Sequence, residues 1–170
     1  MVLNQNFSSA ATAQGEESLI SKACKESRNP DLCKSTLETD PLTKKAESYN
    51  SLCRVAMVVA ISKIKKVSFL LAKSLAKESD FRNKSGIMVC TQRYDNALYA
   101  LNMTAIPAFD EKNYNEAYHA VSLAGYCATA CNDVCNEGGL TMFQQHNNEI
   151  YAFSSVVQSL LIKLVPADQL

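Results

Sequence analysis

Residues Asn113 to Gly139 read NYNEAYHAVSLAGYCATACNDVCNEGG, and this stretch decides the fold. Asn113 followed three positions later by Glu116 has the form of a capping box, which starts a helix. Ala117, Tyr118, Val121, Ala124, Ala128, Cys131 and Cys135 then recur at three-to-four spacing as one apolar stripe, and Gly138-Gly139 stops it. The same grammar repeats on either side. Thr43 to Ser79 holds no Gly or Pro and carries a stripe from Tyr49 through Leu52, Ala56, Ala60, Ile64, Val67 and Leu71 to Leu75, which predicts one long helix. Ile87, Cys90, Tyr94, Ala97, Leu98, Leu101 and Ala105 predict another, ending near Pro107. Ile150, Phe153, Val157, Leu160, Leu161 and Leu164 predict a last one, capped by Asn147 or Asn148 and closed by Pro166. Short connections between such helices imply an all-α, antiparallel up-down-up-down four-helix bundle.

Composition agrees. With 5 Gly and 4 Pro in 170 residues the chain lacks the turn residues of a many-stranded sheet. Lys plus Arg and Asp plus Glu are 17 each, so no net charge draws the chain toward nucleic acid or anionic lipid, and neither is an expected partner. The charge is lopsided locally. The long helix region carries Lys44, Lys45, Arg54, Lys63, Lys65, Lys66, Lys73 and Lys77 against Glu47 and Glu78, which reads as a solvated face. No run approaches the ~18 apolar residues of a membrane span. Met1 to Gly15 has neither the basic nor the apolar region of a secretory signal, and residues 1–16 are expected to be disordered, with the domain at 17–166. Sequons stand at Asn6, Asn83 and Asn102.

Seven cysteines point to disulfides or to metal ligation. Leu19, Ile20 and Ala23, then Asn29-Pro30, then Leu32 and Leu37 read as two short helical pieces folded at a turn, with Asn29 capping the second piece and Pro30 at its first position. Each piece is shorter than the ~12 residues an isolated helix needs, and a bridge between the flanking Cys24 and Cys33 would hold the hairpin. In an up-down-up-down bundle Cys90 and Cys131 lie at the same end, whereas Cys53 lies toward the other and is expected as a buried free thiol. Cys127 and Cys135, one turn on either side of Cys131, compete with it for Cys90 or stay reduced. No His or carboxylate is placed to complete a metal site, so no metal or other cofactor is expected.

A search for reactive constellations is equally spare. His119 and His146 lie in no nucleophile or metal motif, and no phosphate-cradling loop, HExxH or GxSxG is present, so no catalytic residue is assigned and the chain is read as a non-enzyme. A bundle that houses a small apolar ligand beside Met57, Met103 or Met142 is a rival reading, but methionine as core filler explains these residues more simply. A metal or redox protein built on Cys127, Cys131 and Cys135 is another.

At this point the residues resemble a family. Cys24-(x8)-Cys33 enclosing Arg28-Asn29-Pro30-Asp31-Leu32, then Leu37 and Asp40-Pro41, is similar to the N-terminal hairpin of the plant pectin methylesterase and invertase inhibitors. Cys90-(x3)-Tyr94-(x2)-Ala97-(x3)-Leu101, Asn113-Tyr114-Asn115, Val121-Ser122 and Cys131 resemble its later helices, so the likeness runs from about Ser18 to Leu164. The resemblance implies a four-helix bundle with an N-terminal helical hairpin and two disulfides, Cys24 with Cys33 and Cys90 with Cys131. It implies secretion to the plant cell wall, or the vacuole, with the leader removed or not included in the chain. It also implies a proteinaceous inhibitor that covers its target's active-site cleft in a one-to-one complex. Because the chain ends shortly after its last helix, a free-standing inhibitor is expected rather than the regulatory pro-region of a larger esterase.

The same resemblance places contacts to a pectin methylesterase on Gln92 to Thr104, on Asn115 to Thr129 and on the exposed side of the last helix. The partner-binding candidates are Asp95, Asn113, Tyr114, Glu116, His119 and Ser122, of which Ser122 matches the family's serine. The threonine usual before the fourth family cysteine is Ala130 here. Invertase inhibitors resemble one another in a Pro-Lys-Phe stretch where the third helix begins, which inserts into the invertase cleft; this chain has Lys112-Asn113-Tyr114 there. The expected target is therefore a pectin methylesterase, with an acid invertase as the alternative. Asp95, Asp110, Glu111, Glu116 and His119 are the groups expected to make affinity depend on pH in an acidic wall.

Overall fold

A computed structural model describes residues 17–169, so the expected disorder of 1–16 and the sequon at Asn6 lie outside the described residues. The chain runs α1 (Leu19–Cys24), α2 (Pro30–Thr39), α3 (Tyr49–Leu75), α4 (Phe81–Tyr99), α5 (Ile106–Asp110), α6 (Tyr114–Gly138) and α7 (Gln144–Leu161). Packing closes a ring, α3 on α4, α4 on α6, α6 on α7 and α7 on α3, which is the expected antiparallel bundle. The hairpin α1–α2 lies beside it, with α2 against α7.

The hairpin forms as its residues require. The Asn29 side chain accepts the Leu32 N–H at 3.1 Å, Pro30 occupies the first helical turn, and Cys24 is bonded to Cys33. Closing this nine-residue separation removes denatured-chain entropy worth roughly 2–3 kcal/mol in the chain-entropy account. Cys90 is bonded to Cys131 across 41 residues, a closure worth about 4 kcal/mol on the same account, and it clamps α4 to α6. Cys53, Cys127 and Cys135 are free and buried.

Three boundaries differ from the sequence reading, each for a local reason. The long helix starts at Tyr49 rather than Thr43, because Ser48 is extended and exchanges capping hydrogen bonds with Ser51. Thr43 is instead buried in a short 3-10 turn, and its hydroxyl donates to the carbonyls of Leu37 and Asp40, closing α2. Pro107 does not end the second bundle helix. Residues Ala100–Ala105 widen into a π turn just upstream, and the rod continues through Pro107 as α5. Proline has no N–H to donate and its ring crowds the preceding turn, which a local widening accommodates. The last helix starts at Gln144, so neither Asn147 nor Asn148 caps it; Asn147 lies a turn inside and is buried.

The core is filled by Leu52, Met57, Ile64 and Leu71 of α3, Ile87 and Tyr94 of α4, and Phe153 and Leu160 of α7. Each such large side chain contributes roughly 1.5–3 kcal/mol through burial. On α6 the inward residues are small, among them Ala117, Ala124, Gly125 and Ala128, and they bring its backbone close to its neighbours. Of the three methionines expected as core filler only Met57 is one; Met103 and Met142 are exposed. The charged face of α3 is solvated as expected at Lys65, Lys66 and Lys73, as is Lys77 just past its end. Lys63 instead lies over the Phe153 ring at 5.4 Å, and Arg54 is engaged elsewhere.

Candidate functional site

α6 is the rib of a broad face bounded by the α4–α5 rod on one side and α7 on the other. Asn113 starts α6 as read from the sequence: its side-chain oxygen accepts the Glu116 N–H at 3.3 Å and its amide donates to the Glu116 carboxylate at 3.4 Å. The chain reaches this cap through Lys112, which has a positive φ of 64° and closes α5 with an Asn113 N–H to Ala108 carbonyl bond of 2.8 Å. This is a Schellman end formed without glycine. At the far end of α6 Gly139 supplies the left-handed residue, with φ 74°.

Of the grooves along the rib, two hold residues singled out from the sequence. The first, toward the rod, is lined by Ala100, Thr104, Asn113, Glu116, His119 and Leu123. The second, toward α7, is lined by Ser122, Gly125 and Tyr126 of α6, Tyr151 and Ser154 of α7, and Arg28 from the hairpin turn. The structure thus gathers Asn113, Glu116 and His119 in one groove and puts Ser122 in the other. Asp95 is exposed on α4 but lines neither. Tyr114 is half-buried, packs edge-on against Phe109 at 5.3 Å between ring centres, and its hydroxyl accepts from the Asn50 side-chain amide at 3.1 Å. It is a packed side chain.

Asp110, expected among the pH-sensitive groups, is engaged: Arg54 Nε and Nη2 donate to its two carboxylate oxygens at 2.7 and 2.8 Å. These hydrogen bonds hold its carboxyl below the ordinary range. The pair ties α5 to α3 beneath the Lys112 turn.

Within the spans the family likeness points to, the structure leaves particular large side chains in water. Tyr126 is 65% exposed and Tyr151 53%, and along the rod Tyr99 and Met103 are 67% and 63% exposed. Leu123 and Tyr126 fall off the stripe set by Val121, Ala124 and Ala128, which marks them as outward-facing. Large aromatic and methionine side chains left in water beside polar neighbours have the composition of protein-binding anchors. Ala130 is half-buried, just before Cys131.

The three free thiols are held neutral by their surroundings. Burial pushes Cys53 up to about 12 and raises Cys127 and Cys135 as well, so thiolate is scarce at each. Among the described residues no helix is long and apolar enough to cross a membrane.

Fold and face together define a disulfide-stapled helical bundle with open, partly polar grooves along one long helix. A family model described as plant invertase/pectin methylesterase inhibitor matches residues 18–160, and the chain belongs to that family. It is accordingly an enzyme inhibitor and not itself an enzyme. A pectinesterase inhibitor from Actinidia deliciosa is 27% identical over 127 residues, covering 75% of this chain and 68% of that protein. Among solved structures, a mutant form of a pectin methylesterase inhibitor from Arabidopsis superposes with a TM-score of 0.73 at 17% identity, covering 86% of this chain and 97% of that one. A second, from Arabidopsis thaliana, gives 0.62 at 17% identity, over 86% and 96%. These two share the fold.

Proposed function

We propose that this chain inhibits a plant pectin methylesterase by seating the α6 rib and these two grooves over the enzyme's active-site cleft, one inhibitor per enzyme. The observation that carries the choice of target is the state of Lys112-Asn113-Tyr114. An invertase-type mode would present the third residue of this segment to a cleft, whereas here Tyr114 is half-buried, packed on Phe109 and hydrogen-bonded to Asn50. The related inhibitor from Actinidia deliciosa supports the same choice.

The partner-binding set comprises Asn113, Glu116, His119 and Ser122, with Asp95 at its edge and Tyr114 acting from behind by fixing the cap. Inhibition is steric: a bundle clamped by two disulfides has little conformational entropy left to lose, so a mostly polar interface can still bind tightly. The inhibitor domain runs from 17 to 166, and the protein works outside the cell in the wall, or in the vacuole, where disulfides persist. Asn102, in the π turn and in the second described sequon, is exposed, but its Nδ2 donates to the Leu98 carbonyl at 2.8 Å.

The test is to add the oxidised protein in excess to a plant pectin methylesterase and, separately, to an acid invertase. Loss of esterase turnover with invertase unaffected is expected. Loss of invertase turnover alone would reverse the choice of target, and full activity of both would remove the inhibitor reading.

A further inference from the structure

Three sulfurs meet between α4 and α6. Cys90 and Cys131 are bonded, and the free Cys135 Sγ lies 3.9 Å from the Cys90 sulfur and 4.0 Å from the Cys131 sulfur, all three fully buried. Cys135 follows Cys131 by one turn of the same helix, so both present sulfur to the same stretch of α4. Cys127, one turn the other way, is not part of the cluster.

We propose that Cys135 is a second bonding partner for Cys90, so that the α4–α6 staple has two isomers, Cys90–Cys131 and Cys90–Cys135, interconverted by exchange within the molecule. The step balances without any added oxidant or reductant. The Cys135 thiolate attacks Cys90 Sγ, the Cys90–Cys135 bond forms as the Cys90–Cys131 bond breaks, and Cys131 leaves as thiolate and takes up the proton that Cys135 gave. Near-equal distances place Cys135 beside the S–S bond rather than in line behind Cys90. Rotation about the Cys135 Cα–Cβ bond and reorientation of the Cys90–Cys131 bridge must together precede attack, which makes the exchange slow.

Two further observations favour the pair of isomers. The closed loops span 41 and 45 residues, so chain entropy barely distinguishes them. The Asn147 amide is placed to donate to both candidate thiolates, at 3.4 Å from Cys131 Sγ and 3.9 Å from Cys135 Sγ, while its oxygen is held by the Tyr94 hydroxyl at 2.7 Å. Whichever sulfur is unbonded therefore has a donor.

The test uses the whole chain. Oxidised protein is held for hours at about pH 8.5 with no added thiol, because the thiolate is the attacking form, then quenched in acid and digested on the N-terminal side of Asp133, which separates Cys131 from Cys135. The expected result is a Cys90–Cys135 peptide rising above about one part in a hundred of all Cys90 bridges; a level that stays below this overturns the proposal. A Cys131→Ser variant identifies the acceptor. If it folds, it is expected to have two free thiols, Cys53 and Cys127, with Cys90 joined to Cys135. Four free thiols in the folded variant would overturn the proposal as well, and if the variant does not fold the digest of the natural chain decides.

Discussion

At the scale of single residues the most constrained polar contact is the one inside the bundle. Tyr94 donates its hydroxyl to Asn147 at 2.7 Å, and both side chains are out of water. Replacing Tyr94 by Phe leaves the Asn147 oxygen buried without a donor, so equilibrium denaturation should show a loss of about 1–3 kcal/mol, although the ring volume is kept. Cys53 makes a different prediction. Its folded-state pKa is raised by burial to about 12 from an ordinary 9.0, so folding favours the neutral thiol. That stabilisation is complete below about pH 9 and is lost as pH climbs toward 12. Thermal melts of the natural chain should fall from pH 7.5 to 9.5, and the fall should be smaller in Cys53→Ala, even though the variant starts lower for want of the sulfur. An equal fall in both would show that other groups set the alkaline limit. The sequence exposes little of this. Cys53 is legible as a buried thiol because it lies on an apolar stripe at the wrong end for pairing. Asn147 reads as a cap, because nothing local distinguishes an asparagine before a helix from one inside it whose partner is 53 residues away.

At the scale of elements the chain announces its helices through periodicity, and the boundaries it conceals are those set by a competing local bond. Ser48 and Ser51 cap α3 in a stretch whose stripe invites an earlier start, and the π turn Ala100–Ala105 carries the rod through a proline that reads as a stop. The exposed face was legible in part: Asn113, Glu116, His119 and Ser122 follow from the family likeness, while Tyr126 and Tyr151 are seen only once two helices are side by side. Lys112 shows the price of a tight junction. A non-glycine residue in the left-handed region costs about 1–2 kcal/mol in backbone sterics, part of which glycine returns as lost chain entropy. Lys112→Gly should therefore raise stability by about 0.5 kcal/mol, read as a higher denaturation midpoint with an unchanged slope. Gly125 gives the opposite sign. A methyl group added there would lie 3.1 Å from the Ser154 Cβ, where α6 packs against α7. Gly125→Ala should cost roughly 1–3 kcal/mol and, because Gly125 lines the groove beside Ser122, should also weaken inhibition by more than the change in folded fraction accounts for.

At the scale of the whole molecule the question is which side of a closed ring of helices meets the target. The bundle has exposed aromatic residues on more than one side: Tyr126 and Tyr151 on the rib face, and Phe69 at 68% exposure on α3 among the lysines. Exposure alone does not choose between them. The α3 side has a groove where Lys63 and Lys66 face His146 and Glu149 of α7. The rib face has two along a single helix, with the exposed Leu123 and Tyr126 on their walls, the arrangement in which a few central side chains carry most of the binding energy. Tyr126→Ala and Tyr151→Ala should each weaken inhibition of a pectin methylesterase on the order of tenfold or more, chiefly through faster dissociation, and leave the melting temperature nearly unchanged. Phe69→Ala should leave inhibition as it was. A reversal, with Phe69→Ala abolishing inhibition and the two tyrosine variants neutral, would move the docking surface to the basic face of α3, where Lys65, Lys66 and Lys73 would demand an acidic target and a steep dependence on salt. Measuring dissociation rates for the three variants at two ionic strengths therefore separates the two faces, because an aromatic anchor in a polar groove weakens little with salt and a lysine field weakens strongly.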